Sequence, residues 1–372
     1  NKLYHYPKLD GNKIKTVNDI IGDKNQSIWI ATDSGLFRYA HDQFSAFTEN
    51  DGLKNNIISD LHLDFEGNLW LSTTRGGLIK LSEGKFFSLS QQEGLSHTTV
   101  NTVLADRDGR YWIGTDTGLD IYDNGKFISG KIRDRLKGIR IRHIIQDRNG
   151  LIWIATYSKQ GTISYRTTDE RISTYSKKEG LISNRCRFLH EDPDGAIWIG
   201  TADGLNTLKD GKIRTFSTQN GLNDNFIMAI NDDAQGNIWV GTNGGGVSRF
   251  SNGTFQTYLE KDGLPSNLVF SIFKDSSDLL WLTTNNGICF FRNKRFHSIG
   301  KGDGLQVNSV FQIIEDHQQQ FWMSTEIGII KSLRKALINF SKKQRKTIKI
   351  TCYTREDGLP AAPTPISWGM RN

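Results

Sequence analysis

Cysteine is scarce. The 372 residues hold three, Cys186, Cys289 and Cys352, an odd and widely spaced set without a Cys-x-x-Cys pair, which argues against a disulfide framework and a zinc site. Cys186 stands where the other repeats described below carry Val or Ile, so it is expected to be a small core residue, and cysteine usage does not fix the compartment. Long apolar runs are missing too. None approaches the roughly 18 residues of a membrane-crossing helix, and the mean hydropathy is −0.48, so no membrane span is expected within these bounds. The sequence opens Asn1-Lys-Leu-Tyr, without an initiator methionine or the apolar stretch of a signal peptide, so it is expected to be a fragment or the mature form of a longer protein.

Catalytic signatures are also lacking. There is no Gly-x-Ser-x-Gly, His-Glu-x-x-His or Gly-x-x-x-x-Gly-Lys-(Ser/Thr), and the eight histidines are scattered singly, so the segment is expected to be non-enzymatic, with no cofactor and no metal. Gly241-Thr-Asn-Gly-Gly-Gly246 looks like a phosphate loop but falls in strand and turn columns of the repeat. A strong charge of one sign is absent as well: the net charge is +7 and the basic residues are dispersed, with Lys342 to Lys346 the densest run, so nucleic acid is not an expected partner.

What the sequence does have is tryptophan at regular intervals. Trp29, Trp70, Trp112, Trp153, Trp198, Trp239, Trp281 and Trp322 follow one another at 41, 42, 41, 45, 41, 42 and 41 residues. An aspartate stands six residues before each (Asp23, Asp64, Asp106, Asp147, Asp192, Asp233, Asp275, Asp316) and a threonine three residues after each (Thr32, Thr73, Thr115, Thr156, Thr201, Thr242, Thr284, Thr325). The chain is a tandem array with a period of about 41 residues.

Each copy lays out the same elements. A Gly-Leu pair, as at Leu53, Leu95, Leu181, Leu222, Leu264 and Leu305, precedes a short apolar run such as Val100 to Leu104, whose length and β-branching suit a strand. Asp-x-x-Gly follows as a tight turn, with Asp able to accept from backbone amides and Gly free to take positive φ. The tryptophan strand comes next, then a glycine turn, a third strand, and a fourth marked by Phe47, Leu89, Tyr175, Phe216, Tyr258, Ile299 or Tyr353. Four antiparallel strands per copy, each small sheet unable to bury both faces alone, predict an all-β chain folded as a β-propeller with seven or eight blades. Leu3 to Tyr6 occupies a fourth-strand position and is expected to complete the last blade. Residues 1–335 are expected to form the propeller, and residues 336–372 an elongated last repeat and the start of an incomplete ninth copy.

The repeat Asp-x-x-Gly-x-(Leu/Ile)-Trp-Ile-Gly-Thr-x-x-Gly-Leu, nearly complete from Asp192 to Leu205, resembles that of the two-component regulator propeller family. The resemblance covers roughly residues 1 to 335. Gln26, Asp278 and Gln319 depart from it at the turn glycine, and the fourth copy carries extra residues around Lys159 to Gly161. It implies the periplasmic, ligand-sensing part of a bacterial hybrid histidine kinase or related regulator, with signalling domains further along the parent chain and a homodimer as one admissible assembly. A propeller enzyme acting on a carbohydrate is the alternative, and a protein-binding scaffold a third reading.

The binding site is expected where loops enter the innermost strands, at a mouth of the central channel. The fourth and sixth residues after each Leu read Thr16/Asn18, Ile57/Ser59, Thr99/Asn101, Arg140/Arg142, Arg185/Arg187, Phe226/Met228, Leu268/Phe270 and Ser309/Phe311. Arginine occurs in two adjacent copies, joined by His143 and His190, and the next three copies are apolar. Arg140, Arg142, His143, Arg185 and Arg187 facing Phe270 and Phe311 suit a small molecule or oligosaccharide with an acidic group and an apolar face. Asn184 and Asn225, with Asn267 and Asn308 in the same column, are expected on the same rim or as caps of local turns.

Overall fold

The computed structural model describes residues 8–9, 12–23, 27–40, 43–51, 53, 55–63, 69–74, 77–81, 89, 91, 94–341 and 348–354. Among them every signature tryptophan lies in its own small antiparallel sheet, with strands paired in chain order. Seven sheets have four strands. The second has three, Ile58–Leu63, Leu69–Thr73 and Gly77–Leu81. The expected strand at Leu3 to Tyr6, the second repeat's Asp-x-x-Gly turn, the basic run at Lys342 to Lys346 and the ninth copy fall outside the described residues.

The chain groups into two compact units divided between Phe87 and Ser88. The first holds sheets one and two, with Trp29 and Leu36 packed against Leu53, Ile58, Leu61 and Leu71. The second holds sheets three to eight. Within it consecutive sheets bury one face against the next: Trp198 and Leu205 of sheet five meet Leu222, Ile227, Ile230 and Val240 of sheet six, and Trp239 and Val247 of sheet six meet Val269, Ile272, Leu280 and Leu282 of sheet seven. The stacking leaves no room beside the tryptophan strand. A Cβ on Gly200 would stand 2.6 Å from Ile227 Cγ2, and one on Gly241 2.7 Å from Val269 Cγ1.

The repeated residues have local tasks. Asp192 Oδ1 accepts the N–H groups of Asp194 and Ala196, closing the hairpin as the sequence predicts, while Oδ2 accepts the indole N–H of Trp198 at 2.8 Å. The same indole bond, at 2.8 to 2.9 Å, recurs at Asp23, Asp106, Asp147, Asp233, Asp275 and Asp316. Thr201 Oγ1 donates to the Gly204 carbonyl at 2.7 Å and ties the turn into the third strand. Fourth-strand aromatics stack on the tryptophan of their own sheet, as Phe216 does on Trp198 at 5.9 Å and Tyr258 on Trp239 at 5.6 Å.

Two short helices interrupt the all-strand pattern. Helix α1, Lys131–Arg135, precedes Leu136 in the repeat that has Arg-Leu in place of Gly-Leu. Helix α2, Arg334–Ser341, forms within the surplus residues of the last repeat, which then return as strand Thr351–Tyr353 to complete sheet eight.

Candidate functional site

Each sheet begins with a six-residue inner strand, and all eight of these strands break register at the same place. The shifts fall at Val17/Asp19, Ile58/Asp60, Val100/Thr102, Ile141/His143, Cys186/Phe188, Ile227/Ala229, Val269/Ser271 and Val310/Gln312. A bulge leaves one residue unpaired and re-aims its side chain. The residues at the bulge are Asn18, Ser59, Asn101, Arg142, Arg187, Met228, Phe270 and Phe311, the column six after each Leu.

In sheets four to eight this column opens on a cavity of about 880 Å³ walled by the inner strands of sheets three to eight. Arg142 and Arg187 stand in its wall together with Met228, Phe270 and Phe311. The two phenylalanines meet edge to face at 5.5 Å. His143 lies in the same wall, stacked on Phe188 at 4.0 Å, with Nδ1 accepting the Leu189 N–H at 3.3 Å. The cavity thus brings together Arg142, His143, Arg187, Phe270 and Phe311.

The remaining expected residues lie elsewhere. Arg140 and Arg185 precede the bulge, are not wall residues and pair with Asp116 at 2.9 Å and Asp203 at 2.5 Å, about half exposed (47% and 52%). Asn184 and Asn225 are not wall residues either. Their side-chain oxygens accept the N–H groups of Lys177 and Thr218, and Asn267 does the same for Glu260, so in these three copies the column caps the turn before the inner strand, while the Asn308 N–H donates to Glu326. His190 lines the cavity but near the far end of its strand, apart from the arginine column.

Arg187 is electrostatically unusual. Its hydrogen bonds go to the Ile227 carbonyl (3.2 Å) and the Met228 sulfur (3.3 Å), its guanidinium lies 4.2 Å from the Phe226 ring centroid, and no carboxylate pairs with it among the described residues. Burial, and then the nearby Arg142, bring its pKa down to about 10. Arg142 is lowered in the same way, by burial first and then by Arg140. Two guanidinium groups thus share one cavity wall with the apolar side chains of Met228, Phe270 and Phe311.

The other end of the inner strands of sheets four to eight, roughly 13 Å further on at the usual strand rise, carries a polar belt that sequence reasoning missed. Gln146 Oε1 accepts the Arg107 N–H (2.9 Å), Glu191 Oε2 the Arg148 N–H (2.8 Å), and Glu315 Oε2 the Ser276 N–H (2.7 Å), each donor coming from the turn of the preceding sheet. Two links are built differently. Pro193 has no N–H for Asp232, and Lys274 has no acceptor. Asp232 instead takes His190 Nε2 at 2.9 Å and Lys274 Nζ at 2.5 Å. Burial alone would raise the Asp232 carboxyl, but these two partners outweigh it and hold its pKa at about 2. A comparison ten residues after each Leu exposes this column, since Gln146, Glu191, Asp232, Lys274 and Glu315 are polar in five successive copies.

The fold is that of a β-propeller, built from small antiparallel sheets whose inner strands wall a cavity. Five of its repeats match the model of the two component regulator propeller, over residues 94–117, 135–158, 180–203, 221–244 and 263–286. Among solved structures, the chain is similar to the extracellular domain of a protein described as a hybrid two component system from B. thetaiotaomicron, at 26% identity and a TM-score of 0.72 over 93% of this chain and 47% of that one. A second extracellular domain from the same organism, described as part of a one component system, gives 21% identity and 0.60 over 91% and 49%. A catalytically inactive virginiamycin B lyase from Staphylococcus aureus shares the fold at 13% identity and 0.51 over 82% and 90%. The chain spans about half the length of the first two. No curated protein shows significant similarity to the sequence.

Proposed function

We propose that this segment is the ligand-binding sensory domain of a two component-type receptor, placed outside the cytoplasm, with no catalysis of its own and with signalling domains elsewhere in the parent chain. Its propeller includes the elongated last repeat, whose strand Thr351–Tyr353 completes sheet eight. The ligand carries a carboxylate or sulfate and an apolar face, as an acidic oligosaccharide does, and sits with its anion on Arg142 and Arg187 and its apolar face on Phe270 and Phe311. The observation that carries this reading is Arg187, a largely buried guanidinium without a carboxylate partner among the described residues. An unpaired buried charge is destabilising, and a ligand anion is its natural counterpart. The similarity to the extracellular domain of a hybrid two component system supports the sensory role.

The test is calorimetric titration of the wild type and the Arg142→Ala/Arg187→Ala double variant with uronate-containing and sulfated oligosaccharides, neutral oligosaccharides serving as controls. Saturable binding of an acidic member without turnover, lost about 100-fold or more in the double variant, is expected. Unchanged acidic-ligand affinity in a folded double variant overturns the site, and turnover of the ligand overturns the non-enzymatic reading.

A further inference from the structure

The last link of the polar belt differs from the others in kind, because its donors include a residue of a helix. Arg334 opens α2 and reaches back across the sheets. Its Nη1 lies 2.8 Å from Ser276 Oγ, 3.2 Å from Glu315 Oε1 and 3.5 Å from Asp275 Oδ1. The guanidinium is 11% exposed, and the Glu315 and Asp275 side chains 7% and 0%. Ser276 closes the group by giving both its N–H (2.7 Å) and its hydroxyl (3.1 Å) to Glu315.

The surroundings make this more than a local ion pair. Helix α2 packs on Arg295–Ile299 of sheet seven and on Ile329–Leu333 of sheet eight, spanning the seam between them, and its Leu337 is fully buried in the core those sheets share. Asp275 also holds the indole of Trp281, the centre of that core, at 2.9 Å. Glu315 is in the cavity wall. Eight residues are too few to hold a helix without tertiary support, and withdrawing Arg334 would leave two buried carboxylates facing each other without a counter-charge.

We propose that Arg334 is a latch keying α2 to the belt, so that docking of the helix and closure of the seam between sheets seven and eight are a single event. The cavity wall and the segment that leaves the last sheet are then coupled through one guanidinium. This does not depend on what the cavity binds. Coupling of this kind is reciprocal, so disturbing either end must loosen the other.

The experiment is hydrogen exchange by mass spectrometry on the intact chain, comparing wild type with Arg334→Gln, Arg334→Lys and Glu315→Gln. Arg334→Gln and Glu315→Gln are each expected to speed exchange about tenfold or more, both in α2 and in residues 275–280 and 310–315, with sheets three and four unchanged. Arg334→Lys should fall between, since an ammonium keeps the charge without the fork. If Arg334→Gln does not fold, the other two variants carry the same comparison. Exchange that rises only in the segment bearing the substitution, or an α2 indifferent to Glu315→Gln, overturns the latch.

Discussion

At the scale of single residues, the three columns that define the repeat act as one device. The six-residue interval between Asp and Trp exists because one carboxylate oxygen closes the hairpin and the other accepts the indole N–H, as Asp192 does for Ala196 and Trp198. The threonine three residues later fixes the next turn. Trp198 is 4% exposed, so Trp198→Ala should destabilise the protein by about 3 to 5 kcal/mol, the range for deleting a buried large aromatic. Trp198→Phe keeps a ring but strips Asp192 Oδ2 of its indole donor and should lose about 1 to 3 kcal/mol. Equilibrium urea unfolding checks both; a loss below about 1 kcal/mol for the alanine variant would place the side chain outside the core between sheets. Asp232 makes a pH prediction. Its pKa near 2 lies below the roughly 3.9 of an unfolded chain, so its contribution is complete above about pH 4 and fades as pH falls toward 2. Asp232→Asn should flatten that part of the stability profile relative to wild type. An identical acid limb in the two proteins would show that the carboxylate contributes nothing there.

At the scale of elements, the close approach of consecutive sheets requires a missing side chain. The contact of Gly200 with Ile227 has a direct test: Gly200→Ala should destabilise by about 1 to 3 kcal/mol through overpacking, and Ile227→Ala in the same background should recover part of that loss although it is destabilising alone. Additive losses would mean that the two residues do not press on each other. The strands, turns and tryptophan faces were legible in the sequence because each depends on neighbours a few residues away. The bulge was not, since it exists only in the register between two strands, and it separates Arg187 in the cavity from Arg185 at Asp203. The belt was hidden for a similar reason, its partners being about 40 residues apart, one repeat along. Helix α2 fell within a surplus visible as extra length, but its anchor at Glu315 and Asp275 is purely tertiary.

At the scale of the molecule, a repeat array builds nearly identical walls, and function depends on the few places where copies differ. Sheets four and five bring arginine to the bulge column and sheets six to eight bring Met228, Phe270 and Phe311, so a uniform scaffold becomes a cavity with one cationic side and one apolar side. At the far end most carboxylates already have cations: Glu191 has Arg148, Asp232 has Lys274 and Glu315 has Arg334. That end is closed electrostatically, whereas Arg187 at the other has no carboxylate partner among the described residues. A residue kept for binding at the expense of folding leaves a distinct signature, in which its removal strengthens the fold and abolishes recognition. The most direct test of the anion site is therefore the Arg187→Met variant, measured for urea stability and for binding of acidic oligosaccharides on the same preparation. Stability equal to wild type or higher by up to about 2 kcal/mol, together with lost acidic-ligand binding, is the expected result; a clear loss of stability with acidic-ligand binding intact would contradict it.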